Sequence, residues 1–385
     1  MYKTVSTLKN DTWDNISRRL YGTPERSGDI EKLNNGNLSD KVVVYDTEEN
    51  SQNTQKEVTL VVNDVIYNDI PESCLIDNLE GCKGGVFVFL PDKKEKFKIK
   101  NGSKAKIYHE KGEFLTGYVA NVRDVFRRNI CFKQVEVKSW AGILLDTILP
   151  PPLEFTNSTI ESVLTRVLSY YGQSIDLSDV QDYIKEINSN EIGTSFTANA
   201  NETVFDFLSR ICRSRGLILT DTGDGLKVIK IKPDTEKKLY LIEGETVGLG
   251  NIRANFNTDG LARYYEIHSQ YPSTASATIT TPYPIPITKM LHSDDINSNN
   301  INEVAQRLVC MEIAKHYPVE AELSDNLSII TGDVVGIKQP SVNIDDLTDF
   351  VVSYVERINP DTLFLQFKLM CGYTGVLPDK LPNTE

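Results

Sequence analysis

The chain has 385 residues, a length that corresponds to about two to four domains. Hydrophobic residues make up 40% and charged residues 25%, which is typical of a globular protein and excludes a wholly disordered or collagen-like chain. We find no apolar run of about 18 residues and no apolar signal segment near the N-terminus. We therefore expect no membrane insertion and a chain that stays in the compartment where it is made.

The cysteines and histidines do not form a metal-binding pattern. The chain has 6 cysteines without a C-x-x-C pair, and its 4 histidines are widely spaced. This spacing predicts reduced, mostly buried thiols, with neither a disulfide framework nor a zinc site. We expect no cofactor.

Charge is unevenly distributed along the chain. Residues 1–57 carry a net charge of −2, 58–141 of +3, 142–245 of −6 and 246–385 of −8, which together give the total of −13. The positive segment includes a lysine run between Lys93 and Lys106, which favours a solvated hairpin over a surface that grips nucleic-acid phosphate.

The first 45 residues predict a small unit of strand, helix, helix and strand. Tyr2 to Val5 alternate as a strand, and a helix capped by Asp11 or Thr12 is expected to end near Gly22. A second helix over 28–33 and a strand over 42–45 complete the unit. Residues 46–57 are polar and predict a flexible linker.

Residues 58–141 have the period of strands. We predict a hairpin over 59–67 that turns at Asn63 and Asp64. Further strands are predicted over 86–90, 96–100, 105–109, 114–122 and 130–140. Many closely spaced antiparallel strands favour a barrel or a sandwich. Pro150, Pro151 and Pro152 then interrupt regular structure.

Residues 142–245 predict an α+β domain. Ser158 and Glu161 have the spacing of a capping box, followed by an amphipathic helix that stops at Gly172. A second helix is expected to start at Asn201 and to stop at Gly216. A hairpin over 217–232 should turn at residues 223–225.

Strands dominate again from residue 246. We expect a strand over 264–271, an extended, proline-bound segment over 282–287, a helix over 302–317 and three antiparallel strands over 327–340, 349–358 and 363–370. The resulting second β domain ends at residue 372, and a C-terminal tail covers 373–385.

Motifs for catalysis are not found in the sequence. G-x-S-x-G, H-E-x-x-H, a Walker loop and a G-x-G-x-x-G after a strand are missing. Residues 220–225 contain oxygen ligands suited to calcium, but they lack the later glutamate of an EF-hand, so a hairpin turn explains them better. We predict that the protein is not an enzyme.

The N-terminal unit resembles a LysM domain, especially the LysM-like modules of phage tail proteins. The resemblance lies in 2–5, in 10–16 with Tyr21 and Gly22, and in Ile30 with Asn34 and Asn35. It implies a surface that docks a neighbouring baseplate protein, with glycan binding as the alternative. The candidate surface residues are Asn10, Asp11, Thr12, Tyr21, Gly22, Asn34 and Asn35.

Residues 58–372 are similar to baseplate hub proteins of contractile phage tails, of the bacteriophage Mu and late-control-gene-D type. The resemblance rests on the domain order, on residues 202–212 running into 216–225, and on 332–337 before the last strand pair. It implies two antiparallel β-barrel domains, 58–141 and 246–372, flanking the α+β domain. The expected fold class is therefore α+β and multidomain, with a LysM-like βααβ domain in front.

The hub resemblance also implies a function and partners. A homotrimeric ring would join a sixfold tail tube protein to a threefold central spike protein, and other baseplate proteins would bind the LysM-like domain. DNA would pass through the channel without specific binding if the particle is a phage. Assembly would take place in the bacterial cytoplasm and the mature protein would lie in the tail baseplate of a phage, an R-type bacteriocin or a related injection particle.

Two other functions compete with the hub. A LysM-tethered peptidoglycan-binding or cell-wall-degrading protein is the main alternative, although the paired carboxylates or Cys/His pair of such hydrolases are not recognisable. A secretion-system spike protein that fuses hub and needle is disfavoured, because the sequence ends near the second β domain without a repetitive β-helix segment.

Overall fold

The computed structural model describes residues 2–6, 13, 27–34, 41–45, 58–67, 70, 72–89, 99–109, 112–127, 130–149, 154–190, 195–246, 248–269, 276–293, 300–324, 329–358 and 362–382. The fold is mixed α+β, and antiparallel sheets dominate it. This confirms the coarse fold class predicted from the sequence.

The N-terminal unit contains two paired strands and a helix. Strand β1 (Tyr2–Ser6) pairs antiparallel with β2 (Lys41–Tyr45), and helix α1 (Ser27–Leu33) lies between them in the chain with Ile30 buried. Of the predicted first helix, Trp13 is helical and the rest lies outside the described residues. The predicted linker 46–57 also lies outside them.

The first β region consists of strands β3 to β9, most of which were predicted. They are β3 (Val58–Val62), β4 (Val65–Tyr67), β5 (Glu72–Asn78), β6 (Gly84–Phe89), β7 (Lys104–His109), β8 (Gly112–Arg127) and β9 (Ile130–Ser139). Asn63 and Asp64 both have positive φ, 47° and 66°, as the predicted two-residue hairpin turn requires.

Two details of this region differ from the sequence prediction. Strand β5 was not predicted, because its sequence ESCLIDN has a weak alternation with a polar residue at each end. The strand predicted over 96–100 is wrong where it is described, since Ile99 and Lys100 lie outside any strand and lead into a turn.

The middle region alternates helices with short strands. It contains α2 (Gly142–Asp146), β10 (Glu154–Phe155), α3 (Ile160–Tyr170), β11 (Ile175–Asp176), a 3-10 turn (Ser178–Val180), α4 (Gln181–Asn190), β12 (Phe196–Thr197), α5 (Val204–Arg213), β13 (Ile218–Asp221) and β14 (Leu226–Ile229). The apolar faces of α3 and α5 are buried in one core, as their helical spacing predicted.

The helix starts are later than predicted. The side chain of Thr159, not Ser158, caps α3 by accepting a hydrogen bond from the backbone N–H of Ser162. Thr203 caps α5 in the same way, and Asn201 has φ of 64° and precedes the helix. In both cases the capping threonine has the extended backbone that an N-cap needs, so backbone conformation rather than residue type selects the cap.

The second β region begins earlier than the sequence predicted. Its elements are β15 (Lys237–Ile242), β16 (Leu249–Ala254), β17 (Tyr264–Ser269), β18 (Ser276–Thr280), β19 (Thr288–Ser293), α6 (Ile301–Lys315), β20 (Val319–Ser324), β21 (Val334–Gln339), a 3-10 turn (Pro340–Val342), β22 (Ile344–Ile358), β23 (Thr362–Leu369) and α7 (Cys371–Thr374). Strand β15 pairs with β21, so it belongs to this region although it precedes residue 245.

The two β regions share one sheet of 13 strands. Its main path runs β16-β20-β23-β22-β5-β6-β9-β8-β7-β3-β4, and β21 and β15 branch from β22. The antiparallel pairing of β5 with β22 joins the regions, from Asn78 opposite Tyr354 to Cys74 opposite Ile358. Among the described strands no pairing closes either region into a barrel, so the expected pair of separate closed barrels is not what the strand pairing gives.

Each region nevertheless has its own hydrophobic core. The first β region is centred on residues such as Phe87 and Ile107, and the second on residues such as Tyr317 and Phe367. Leu381 is buried in the second core and Leu377 packs against it. The boundary predicted at residue 372 is therefore not a packing boundary, because the segment that follows completes the core.

Candidate functional site

Three junctions of polar side chains fix the regions to one another. The first is centred on Glu80, in the connection between β5 and β6. Its carboxylate lies 2.7 Å from Nε of Arg213 on α5 and 2.6 Å from Nζ of Lys368 on β23. One side chain of the first β region therefore links the middle region and the second β region.

The electrostatics of this junction favour the ionised carboxylate. Burial alone would raise the pKa of Glu80, but the charges and hydrogen bonds of Arg213 and Lys368 outweigh it, and the pKa lies below its ordinary value. The neighbouring Tyr373 phenol is buried, and burial raises its pKa well above the ordinary value. The group is thus a structural ion-pair network, without the pair of oppositely shifted carboxyl groups that acid–base catalysis uses.

The second junction joins the middle region to helix α6. Arg307 donates from Nη2 to the hydroxyl of Tyr183 at 2.7 Å and from Nη1 to the carbonyl of Ser214 at 3.4 Å. Its guanidinium also pairs with Glu303 one turn earlier. Gly216 permits this approach, because a Cβ there would lie 2.8 Å from Nε of Arg307 and because φ is 66°.

The third junction docks the hairpin of the middle region on the first β region. Asp221 is buried, and its Oδ2 accepts hydrogen bonds from the backbone N–H of Lys83, at 2.7 Å, and from the hydroxyl of Ser139. Its Oδ1 accepts from the backbone N–H of Gly223 at 2.7 Å. The carbonyl of Gly223 accepts a hydrogen bond from the backbone N–H of Thr116 at 2.8 Å, so the turn of the hairpin is also held against strand β8.

This junction explains the residues 220–225 that the sequence marked as possible calcium ligands. The predicted hairpin turn is confirmed, and Asp221 uses its carboxylate on three protein donors. Burial raises the pKa of Asp221, although the hydrogen bonds from Ser139 and from backbone N–H groups oppose the shift. The sequence could not identify this role, because Lys83 and Ser139 lie far from Asp221 in the chain.

The predicted LysM-like surface is described at one of its seven residues. Asn34 ends helix α1: its backbone N–H donates to the carbonyl of Ile30 at 3.2 Å and its side-chain amide donates to the same oxygen at 2.7 Å. The other six candidates lie outside the described residues; they are Asn10, Asp11, Thr12, Tyr21, Gly22 and Asn35. The proposed docking surface therefore stays a prediction.

The part of the chain that the structure describes contains neither a metal-binding cluster nor a membrane-spanning helix. No group of three His, Cys, Asp or Glu side chains suited to a metal ion occurs there. All six cysteines are free thiols, and burial raises the pKa of Cys74 to about 12 and of Cys82 to about 11. No described helix is long and apolar enough to cross a membrane.

Two exposed surfaces combine apolar and charged side chains. On the first β region, Phe126 near the end of β8 is 75% exposed. On the second, an open cleft of about 710 Å³ lies between the start of β22 and the segment after α7, with Leu347 and Val376 exposed beside it.

One segment of the chain matches a known protein family. Residues 141–231 match the family model of the baseplate hub protein gp44-like second domain. This segment contains helices α2 to α5 and strands β10 to β14, so it coincides with the middle region that all three junctions hold in place. No curated protein matches the sequence.

Solved structures share the fold over most of the chain. A tail protein from Neisseria meningitidis MC58 is 15% identical, with a TM-score of 0.66 over 85% of this chain and 99% of that one. A 43 kDa tail protein of prophage MuSo2 from Shewanella oneidensis, also 15% identical, gives 0.63 over 81% and 97%. The prophage tail protein gp18 from Listeria monocytogenes EGD-e, 11% identical, gives 0.57 over 81% and 94%.

Proposed function

We propose that this protein is a structural baseplate hub of a contractile tail, in a phage, an R-type bacteriocin or a related injection particle. The match of residues 141–231 to a hub-protein domain carries the proposal. The whole-chain similarity in fold to tail proteins supports it, because the β regions on both sides of that domain are included in the aligned part. Its role is assembly, with no catalytic step.

The proposed assembly is a homotrimeric ring that lines the tail channel. Three copies that each contribute two β regions supply six units toward a sixfold tail tube, while the threefold axis suits a central spike. Such a ring needs the two β regions of each copy in a fixed relation. The β5–β22 pairing and the ion pairs of Glu80 provide a rigid connection of this kind.

The proposed division of labour follows the predicted domains. Residues 1–45 form a LysM-like module that docks another baseplate protein, and 46–57 link it to the hub body. Residues 58–141 and 246–372 are the two ring-forming β domains, 142–245 form the α+β domain between them in the chain, and 373–385 are the C-terminal tail, of which Leu377 and Leu381 pack in the second core. Asn34 lies at the end of helix α1 in this module, and the next candidate docking residue, Asn35, follows it directly in the chain.

The charge of the chain suits a channel through which DNA passes without specific binding. Segment 246–385 has a net charge of −8, and a surface of this sign repels phosphate instead of holding it. A lumen that gripped phosphate would arrest the passing genome. The proposal therefore assigns acidic side chains of the second β region to the lumen.

Negative-stain electron micrographs of the largest species formed by the purified chain test the proposal. We expect rings with a central hole and threefold symmetry. Compact particles without a hole, at concentrations where the chain self-associates, would contradict it.

Incubation with purified peptidoglycan separates the hub from the LysM-tethered hydrolase. A hub releases no soluble fragments, whereas a cell-wall hydrolase releases them in proportion to time and protein concentration. Sedimentation with the same peptidoglycan reports binding by the LysM-like module independently of cleavage.

A further inference from the structure

A hairpin arm extends from the first β region beyond its neighbours in the sheet. Strand β7 pairs with residues 112–118 of β8, and β6 pairs with residues 133–138 of β9. Beyond them β8 and β9 pair with each other as far as Arg127 opposite Ile130. Among the described strands, none flanks residues 123–127 of β8 on the other side. We call the described residues 123–127 and 130–133 the hairpin arm.

The arm has the composition of a protein-binding element. Phe126 is 75% exposed, the largest exposed fraction among the big apolar side chains of the described residues. The residues of the arm include three basic side chains and one carboxylate, a net charge of +2. Asp124 pairs with Lys133 at 2.5 Å within the arm, so the carboxylate is already compensated and the arm is basic. An exposed aromatic ring on a basic hairpin favours an apolar cleft with acidic walls.

The second β region has a cleft of that description. Its lining includes four aspartates and one lysine, together with the exposed Leu347 and Val376; Lys237 next to it pairs with Asp349, so the net charge there is −2. The aspartates are Asp345, Asp346, Asp349 and Asp379. The volume of about 710 Å³ is ample for an aromatic side chain and the backbone next to it. The arm and the cleft thus match in charge and in apolar character.

The strand register places the arm and the cleft at opposite ends of the sheet. Ile358 of β22 lies opposite Cys74, which lies opposite Val86, which lies opposite Glu136 of β9. From Glu136 in this row, β9 leads back toward residue 130 in the arm, and this is the direction in which β22 runs toward its C-terminal end. The cleft lies at the opposite, N-terminal end of β22. From Leu347 at the cleft to Ile358 in this row, β22 spans roughly 36 Å. The arm of one chain therefore points away from its own cleft.

We infer that the hairpin arm of one copy inserts Phe126 into the cleft of a second copy of this chain. The contact is heterologous, because different surfaces of the two copies meet, and such contacts close into rings when the rotation between copies permits. The inference rests on the proposed function, whose ring requires contacts between copies. It deepens that function by naming the interface.

Cysteine cross-linking between two differently tagged copies tests this interface. One copy carries Phe126→Cys and the other Leu347→Cys, both with Cys131→Ser to remove the native thiol of the arm. Oxidation of the mixture with a copper–phenanthroline catalyst should give a heterodimer that thiol reduction reverses. The matched control replaces Phe126→Cys with Ile66→Cys, because Ile66 on β4 is also highly exposed, at 64%. We expect no heterodimer with the control.

Charge reversal gives an independent readout of the same contact. Arg123→Glu on the arm and Asp345→Lys at the cleft should each weaken self-association, and the double variant should recover it. Phe126→Ala should weaken it by about 30-fold, the effect of a central aromatic residue, whereas Ile66→Ala should not change it. Circular dichroism of each variant establishes that it is folded.

The outcomes separate this inference from the function on which it rests. An oligomer that persists in Phe126→Ala, without cross-linking from arm to cleft, overturns the inference and leaves the ring intact. A chain that stays monomeric at every concentration and gives no cross-link contradicts both. A cross-link as strong with the Ile66→Cys control as with the arm also overturns the inference, since the capture is then not specific.

Discussion

The two β regions contribute to one sheet but differ in how their strands are connected. In the first region the hairpins β3–β4, β5–β6 and β8–β9 join strands that are adjacent in the chain. In the second, β16 pairs with β20 and β15 pairs with β21, so partners are separated by many residues and a helix. The first region therefore presents an extended arm, whereas the second encloses a core around α6.

Their electrostatics differ in the same direction. The first region has a net charge of +3 over 58–141, and the last segment has −8 over 246–385. One sheet therefore runs through two regions of opposite net charge. A ring built from such copies can place unlike charges in contact at each subunit boundary.

Core truncation tests whether the shared sheet makes the regions one cooperative unit. Phe367→Ala in the second core and Phe87→Ala in the first each remove a buried ring, with an expected loss of about 3–5 kcal/mol in the free energy of unfolding. Because β5 pairs with β22, both variants should shift the same transition in urea denaturation. Phe364→Ala, on the half-buried face of β23, is the control and should cost clearly less. Two transitions that shift separately would contradict the single unit.

Gly223→Ala tests the junction between the middle region and the first β region. The residue has φ of 98°, and an added Cβ would lie 2.2 Å from the carbonyl oxygen of Phe114. We expect a loss of about 1–3 kcal/mol in the free energy of unfolding, because the backbone must shift. Gly225→Ala is the matched control in the same turn, since its Cβ would meet no atom within 4 Å. Equal effects of both changes would show that the close approach is not the cause.

An ion pair of the second β region should contribute more to stability against acid than an ion pair of the first β region. Glu312 lies between Lys289 and Lys315, at 2.6 and 2.9 Å. Burial would raise its pKa, but the hydrogen bonds and charges of these lysines lower it to about 2 from 4.5. Its stabilising contribution is therefore present above pH 4.5 and is lost as the pH falls from 4.5 toward 2.

Between pH 4.5 and pH 2 we expect the free energy of unfolding to fall less in Glu312→Gln than in the unmodified chain. Thermal melts from pH 7 to pH 2 measure it. Glu113→Gln in the first region is the control: hydrogen bonds from Thr116 and Lys106 lower the pKa of Glu113, but its side chain is more exposed, so water and salt reduce its contribution. A pH profile for Glu312→Gln that is parallel to that of the unmodified chain would contradict the prediction.

The smallest effect concerns the cap of helix α3. Thr159→Ala should lower the free energy of unfolding by about 1 kcal/mol, because it removes the acceptor for the N–H of Ser162. Ser158→Ala should change it by less than about 0.5 kcal/mol, since Ser158 does not cap the helix. Urea denaturation measures both losses. A larger loss for Ser158→Ala than for Thr159→Ala would contradict the prediction and would favour Ser158, which the sequence indicated, as the cap.

Local sequence signals predicted the elements that local interactions specify. The turn at Asn63 and Asp64, the helix stops at Gly172 and Gly216 and the hairpin over 218–229 are confirmed, because positive φ selects Asn, Asp and Gly directly. The apolar faces of α3 and α5 are confirmed because apolar residues at helical spacing lie on one side of a helix. In these places the residue type determines the backbone.

Sequence signals failed where distant segments determine the structure. Strand β15 is a short stretch, KKLYLI, whose place in the sheet depends on β21, almost one hundred residues later. The β5–β22 pairing, which turns two expected barrels into one sheet path, has no local signal at all. The junction residues Glu80, Asp221 and Arg307 gain their roles from partners in other regions, so their positions in the chain could not reveal them.

The native mass of the purified chain tests the central claim most directly. Light scattering during size-exclusion chromatography at several concentrations distinguishes a monomer of 43.3 kDa from a species of three chain masses. The account predicts that the trimer dominates at high concentration and that no larger open series forms, because a ring closes. A persistent monomer, or a continuous series of higher oligomers, would contradict it.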